Sequence, residues 1–204
     1  MTTTIALPAS IMPVTCSLTK FVNQRVSGAP FGGSEQAIDL MNDRWLLSFD
    51  LPAYSNASGA AVEAFVGSMR GQTNVVALWH FARPQPRGTV RGTLTLNAAA
   101  AAAAASIVVT GCVPTTGTLL AGDMLSVATP TGGTLLLMVA NDCTAVAGVI
   151  TVPITERLRV ACNSGAAVTW LRPTALFRLL NTPTIQYAPA IVQGVSLDFG
   201  EFIG

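Results

Sequence analysis

A chain of 204 residues can bury a real core as one large or two small domains, but only 10% of this one is charged against 50% apolar, where a charged share of about 25% is usual. So little charge predicts a surface covered by other subunits, because large exposed apolar patches mark interfaces. A net charge of +1, with Lys20 the only lysine and no Lys/Arg cluster, excludes a nucleic-acid partner held through many phosphate contacts.

The opening MTTTIALPASIMPV lacks the basic start of a secretory signal, so synthesis in the cytoplasm is the expectation. Residues 16–26 and 35–41 alternate in character, and SGAPFGG between them supplies turn residues, so both segments read as strands of a first domain. In 45–51, Trp45, Leu47, Phe49 and Leu51 alternate with smaller or polar neighbours, the period of a half-buried strand, and Pro52 ends it. From 55 to 70 the period lengthens. Ala61, Phe65 and Met69 recur four apart, Val62 and Val66 flank them and Glu63 falls off the stripe, which predicts an amphipathic helix with one buried face. Ser55 or Asn56 can cap its start, Arg70 suits its negative end, and Gly71 can take the left-handed conformation that stops it. Gly59 and Gly67 each cost about 1 kcal/mol relative to alanine, so this helix is expected to depend on a sheet beneath it. Residues 75–81 predict part of that sheet, with Val75, Ala77, Trp79 and Phe81 on one face and Val76, Leu78 and His80 on the other.

ARPQPRGT then forms a stiff exit, and a second domain is expected from about Val90. Residues 123–127 and 134–139 flank TPTGG as a hairpin, and further short strands are expected at 149–152, 158–161 and 168–171. Strands so closely spaced suggest a small barrel or sandwich. The alanine run 98–105 favours a short helix by propensity, with a flexible lead-in to the following strand as the alternative. Its surroundings, 94–113, are apolar, but Thr95, Asn97, Ser106 and Thr110 argue against a membrane span. Beyond Pro173, Val195, Leu197 and Phe199 share an apolar strand face.

Taken together, the Trp-containing strand ending in proline, AAVEAFVGSMRGQTN, PQPRGT, TLLAGDMLSV and LRPTALFRLL resemble the distal tail (baseplate or tail-tip) proteins of long-tailed bacteriophages, over most of the chain from about Arg44 onward. The resemblance implies a mainly β fold with one principal helix. It further implies a split tail-tube-like β-sandwich, residues 1–89 with 175–204, interrupted by an inserted β-domain at 90–174; a simple serial pair of domains is the alternative. Six copies in a closed ring, contacts with tail tube and tail-tip hub proteins, and a place in the virion tail follow from the same resemblance. A tail tube protein or a capsid decoration protein is the runner-up. A carbohydrate-binding module is a reading of another class. It would show itself by exposed aromatics, of which the proposed insert offers Trp170, with Phe177 near its edge.

Residues that could do chemistry are few. No catalytic, cofactor-binding or metal site is expected, nor membrane insertion. His80 is the only histidine and lies between Trp79 and Phe81 as a structural imidazole. Ser48 and Ser68 occupy no nucleophile elbow, and GAPFGG and PTGG lack the strand-to-helix setting of a phosphate loop. Asp39, Asp43, Asp50, Asp123 and Asp142 are too scattered for a paired-carboxylate hydrolase. Cys16, Cys112, Cys143 and Cys162 form no metal-binding spacing and read as free thiols, with a Cys143–Cys162 disulfide as the alternative.

Overall fold

The computed structural model of the chain describes residues 2–28, 35–40 and 42–203. The protein is mainly β with one principal helix, and two six-stranded sheets carry most of it.

The first sheet draws strands from both ends of the chain, in the order Thr4–Ile5, Val75–Leu78, Ala175–Leu179, Ser196–Glu201, Arg44–Asp50, Thr15–Phe21. Thr4–Ile5 runs parallel to its neighbour and all other pairs are antiparallel. The alternation in 45–51 produces its core directly. Leu47 stands opposite Leu18 and Phe199, and Phe49 opposite Cys16 and Leu197, so one face becomes an unbroken apolar floor. On that floor the helix Asn56–Met69 packs Val62, Phe65 and Met69.

Ser55 caps the helix, its hydroxyl accepting from the Ser58 amide at 3.4 Å. At the other end Arg70 already adopts the left-handed conformation, φ 48°, and Gly71 follows at 62°, so the stop falls one residue earlier than the glycine predicts. Asn74 makes this tolerable: its amide nitrogen donates to the Ser68 carbonyl at 2.8 Å and its backbone N–H to Met69, satisfying carbonyls the helix leaves open. The buried stripe is rotated slightly from the expected one, with Gly59 inside and Ala61 only half-buried. The predicted strand 75–81 ends at Leu78, after which Trp79 stacks on Phe81 and the chain turns outward.

The N-terminal expectation needs a larger correction. Thr15–Phe21 is an edge strand of the sheet, but the predicted 16–26 strand breaks at Val22 and Asn23, where the Asn23 amide donates to the Asp43 carboxylate. Gln24–Ser27 then pairs with Gln36–Asp39 in a separate two-stranded ribbon, every residue of which is exposed. The predicted 35–41 strand therefore joins no sheet core. Most of the turn between them and Met41 lie outside the described residues.

After Leu78 the chain builds the second sheet, in the order Thr134–Met138, Met124–Ala128, Ala167–Thr169, Leu94–Leu96, Ser106–Thr110, Val149–Pro153, antiparallel throughout. Its two outer strands meet. A bridge joins Val139 to Ile154, the Ala140 amide donates to the Pro153 carbonyl at 2.8 Å and the Thr155 amide to Met138 at 2.9 Å. Of the two architectures open to the sequence, the unit is thus a closed barrel, filled by Leu94, Leu96, Val109, Leu125, Val127, Ile150 and Val152. The chain then re-enters the first sheet, where Ala175 pairs with Leu78.

Two expectations fail within the barrel, and for one reason. The alanine run forms no helix and 158–161 no strand, because the two segments strap to each other. Ala100 and Cys162 exchange both backbone hydrogen bonds, Ala103 donates to Leu158, and Leu158 to Ala104. A run too short to stabilise a helix alone yields to tertiary partners for its amides.

Candidate assembly surface

Among the described residues, the histidine stands apart from every serine, cysteine and carboxylate that could act with it. His80 is half-buried with its Nδ1 unpartnered, and burial, assisted by the Arg83 cation, lowers its pKa below the usual imidazole value, so the ring is neutral at pH 7. The Ser48 hydroxyl donates to Asp198 at 2.6 Å and that of Ser68 to the Phe65 carbonyl at 2.7 Å. The aspartates are dispersed and engaged. Asp39 faces Arg157, Asp43 pairs with Lys20, Asp50 accepts from Thr15 and Asp142 from the Ala121 amide. Asp123, 4% exposed, accepts from the amides of Arg87, Gly88 and Leu120, fixing the exit from the first sheet at its entry into the barrel. All four cysteines are free, with burial raising each thiol pKa, and the cysteine near Cys143 is Cys112 rather than Cys162. Among the described residues, no three His, Cys, Asp or Glu side chains gather as metal ligands, and no helix is long and apolar enough to cross a membrane.

The aromatics that would serve a sugar are also occupied. Trp170 donates its indole N–H to the Gly92 carbonyl at 2.8 Å, and the Arg91 guanidinium lies 4.9 Å over its ring. Phe177 is fully buried in the core of the first sheet.

Polar chemistry concentrates where barrel meets sheet. The Trp45 indole donates to the Leu136 carbonyl at 3.0 Å, and Glu201 receives both the Arg159 guanidinium and the Trp45 amide. Lys20 pairs with Asp43 at 2.9 Å and donates to the Thr155 carbonyl at 3.0 Å. Met124 and Leu136 of the barrel add apolar contacts to the core of the first sheet. Sequence reasoning missed this seam, whose hydrogen-bonded partners lie up to 156 positions apart; the one available signal was the isolation of Lys20 as the sole lysine.

A group of exposed apolar side chains lies elsewhere. Met12, Val14, Phe21, Val22, Val26, Ile38 and Leu40 are each at least 45% exposed, and all belong to the N-terminal edge strand, the ribbon or their flanks. Val26 stands opposite Ala37 and Ile38 opposite Arg25, so the ribbon carries one large apolar residue on each face and has a core behind neither. Two strands alone are marginal in water. Beside it, Thr15–Phe21 pairs with Arg44–Asp50, and among the described residues no strand pairs with its outer edge. Lysines commonly guard such edges, but the Lys20 ammonium is drawn inward to the seam.

No protein-family model matches the sequence, and no curated protein is similar enough to it to mark a relative. The surface stands on its own geometry.

Proposed function

We propose that this protein is a virion structural protein of a tailed bacteriophage, a distal tail protein whose copies close into a ring between the tail tube and the tail-tip hub. The observation that carries the reading is the uncored, apolar ribbon beside an unguarded edge strand, in a chain only 10% charged. In such a ring the ribbon and edge of one copy rest against the next, and head-to-tail closure leaves no edge unpaired. The protein's work is assembly rather than catalysis, and it takes no cofactor. The barrel, whose two outer strands are joined to each other at their ends, is carried on the ring rather than building it.

Native mass spectrometry and electron microscopy of the purified protein and of virions test this. The wild type is expected to give a closed oligomer of one size. Paired Val26→Lys and Ile38→Lys substitutions are expected to leave monomers that melt like the parent. A wild-type chain that stays monomeric at micromolar concentration and is absent from virions would overturn the reading.

A further inference from the structure

The face of the first sheet turned away from the helix holds a concavity whose lining takes in Phe21 at the end of the edge strand. Arg178, Gly200 and Leu46 stand directly opposite one another across three strands, and the Leu180 side chain lies over Gly200, where a Cβ would meet it at 3.2 Å. Arg44 and Phe202 rise beside this row and, with Leu180, line an open dish of about 480 Å³. The Arg178 guanidinium lies 4.0 Å from the centre of the Phe202 ring, which steadies it by stacking, while its Nε is buried without an acceptor. Arg44 is exposed, and neither arginine makes an ion pair among the described residues. The one carboxylate lining the dish, Glu201, is already held by Arg159 and the Trp45 amide.

Two guanidiniums without acceptors over apolar walls call for an anion that brings apolar surface with it. We propose that the dish binds an extended acidic peptide segment of a partner protein, a carboxylate seated between Arg44 and Arg178 and apolar neighbours resting on Leu46 and Leu180. Nucleic acid fits poorly, because a phosphate backbone is held by many cations along a groove and here there are two. The inference goes beyond the ring and does not require it.

The probe is the fluorescein-labelled peptide Leu-Asp-Leu-Glu-Leu, titrated into the full-length protein, wild type and the monomeric V26K/I38K variant alike. Its amide counterpart Leu-Asn-Leu-Gln-Leu and a thymidine oligonucleotide serve as comparisons. The acidic peptide is expected to bind at least about tenfold tighter than the amide one, the scale of a charge-assisted hydrogen bond, and to shift the Nε–H resonances of Arg44 and Arg178 and the amide of Gly200. Arg178→Gln and Arg44→Gln should each weaken it about tenfold, with Arg178→Lys less damaging. Arg44, being exposed, tests the site even if the Arg178 variant folds poorly. Equal binding of acid and amide peptides, shifts confined to residues outside the dish, or displacement of the peptide by the oligonucleotide would overturn the proposal.

Discussion

The two six-stranded sheets are made from similar short, alternating strands, yet one closes and the other stays open. In the barrel the strand after Thr134–Met138 in space is Val149–Pro153, and the Val139–Ile154 bridge joins the two at their ends. The first sheet ends instead in Thr15–Phe21 on one side and the two-residue Thr4–Ile5 on the other, and relies on a helix to cover its apolar face. Closure makes a unit self-sufficient, whereas an open sheet needs something outside itself, here the helix on one face and, in the proposed ring, a neighbour at the edge.

The strongest way to break this comparison is to strip the cover from the open sheet. Phe65 is 3% exposed in the middle of the helix, and Phe65→Ala is expected to cost about 3–5 kcal/mol through lost burial and an unfilled cavity. Hydrogen exchange should then show Arg44–Asp50 losing protection while Met124–Ala128 keeps its own; equal loss in both strands would mean the sheets unfold as one. The seam offers the next test. Glu201→Ala leaves the Arg159 guanidinium without its carboxylate and the Trp45 amide without an acceptor, for an expected loss of about 3 kcal/mol in denaturant unfolding. A cost near zero would show that the sheets do not stabilise each other.

Two glycines in the helix sharpen the picture with opposite signs. A methyl group at Gly59 would come within 2.2 Å of the Val192 side chain, so Gly59→Ala should cost about 1–3 kcal/mol by overpacking. Nothing lies within 4 Å of the same position at Gly67, so Gly67→Ala should gain up to about 1 kcal/mol. Thermal melts of the two variants decide this.

At the seam, pH acts in opposite directions on two carboxylates. Burial, only partly offset by the Thr155 hydroxyl, the Met138 amide and Lys20, raises the Glu156 pKa. Its contribution to stability is therefore full below the unfolded carboxylate value and lost as pH rises through the folded one. Glu156→Gln should raise the melting temperature at pH 7, by roughly 2–4 °C per kcal/mol recovered, and raise it less at pH 4. For Asp43, burial pulls the pKa up but is outweighed by the Lys20 hydrogen bond, the Asn23 amide and the Lys20 and Arg159 charges, so the net shift is downward. Its stabilisation is present above the unfolded value and lost as pH falls through the folded one, so the cost of Asp43→Asn should shrink in acid. The smallest expected effect is that of Glu63→Ala on melting. Glu63 is exposed and lies off the buried stripe, although its carboxylate accepts from the Tyr187 hydroxyl at 2.6 Å.

Local order was legible wherever one period ran long enough to declare a face. The strand at Trp45, the helix around Phe65 and the TPTGG hairpin, whose register pairs Ala128 with Thr134, needed only their own residues. The failures share a cause. Propensity alone gives Ala98 to Ala105 a helix, but the Ala100 and Ala103 amides go to a segment more than fifty positions away. The strand assigned to 16–26 alternates well, yet alternation cannot say which partner it meets, and the Asn23–Asp43 contact breaks it. The exposed ribbon was unreadable as a surface for the same reason, since a sequence shows which residues are apolar and not which are left uncovered. The arginine dish needed three strands in register before its two cations could be seen together.

The order in which the strands are synthesised gives the open sheet a further property. Ser196–Glu201 sits at its centre, between Ala175–Leu179 and Arg44–Asp50, although it is synthesised after the other five strands of the sheet. The barrel, made from one contiguous stretch, can fold while that strand is still being made. Until Ser196–Glu201 arrives, Arg44–Asp50 lacks its inner neighbour and Phe49 and Leu47 lack the partners that seal the floor. A chain cut before Ser196 would therefore lose the middle of the sheet rather than a margin, and the open sheet is finished from its centre.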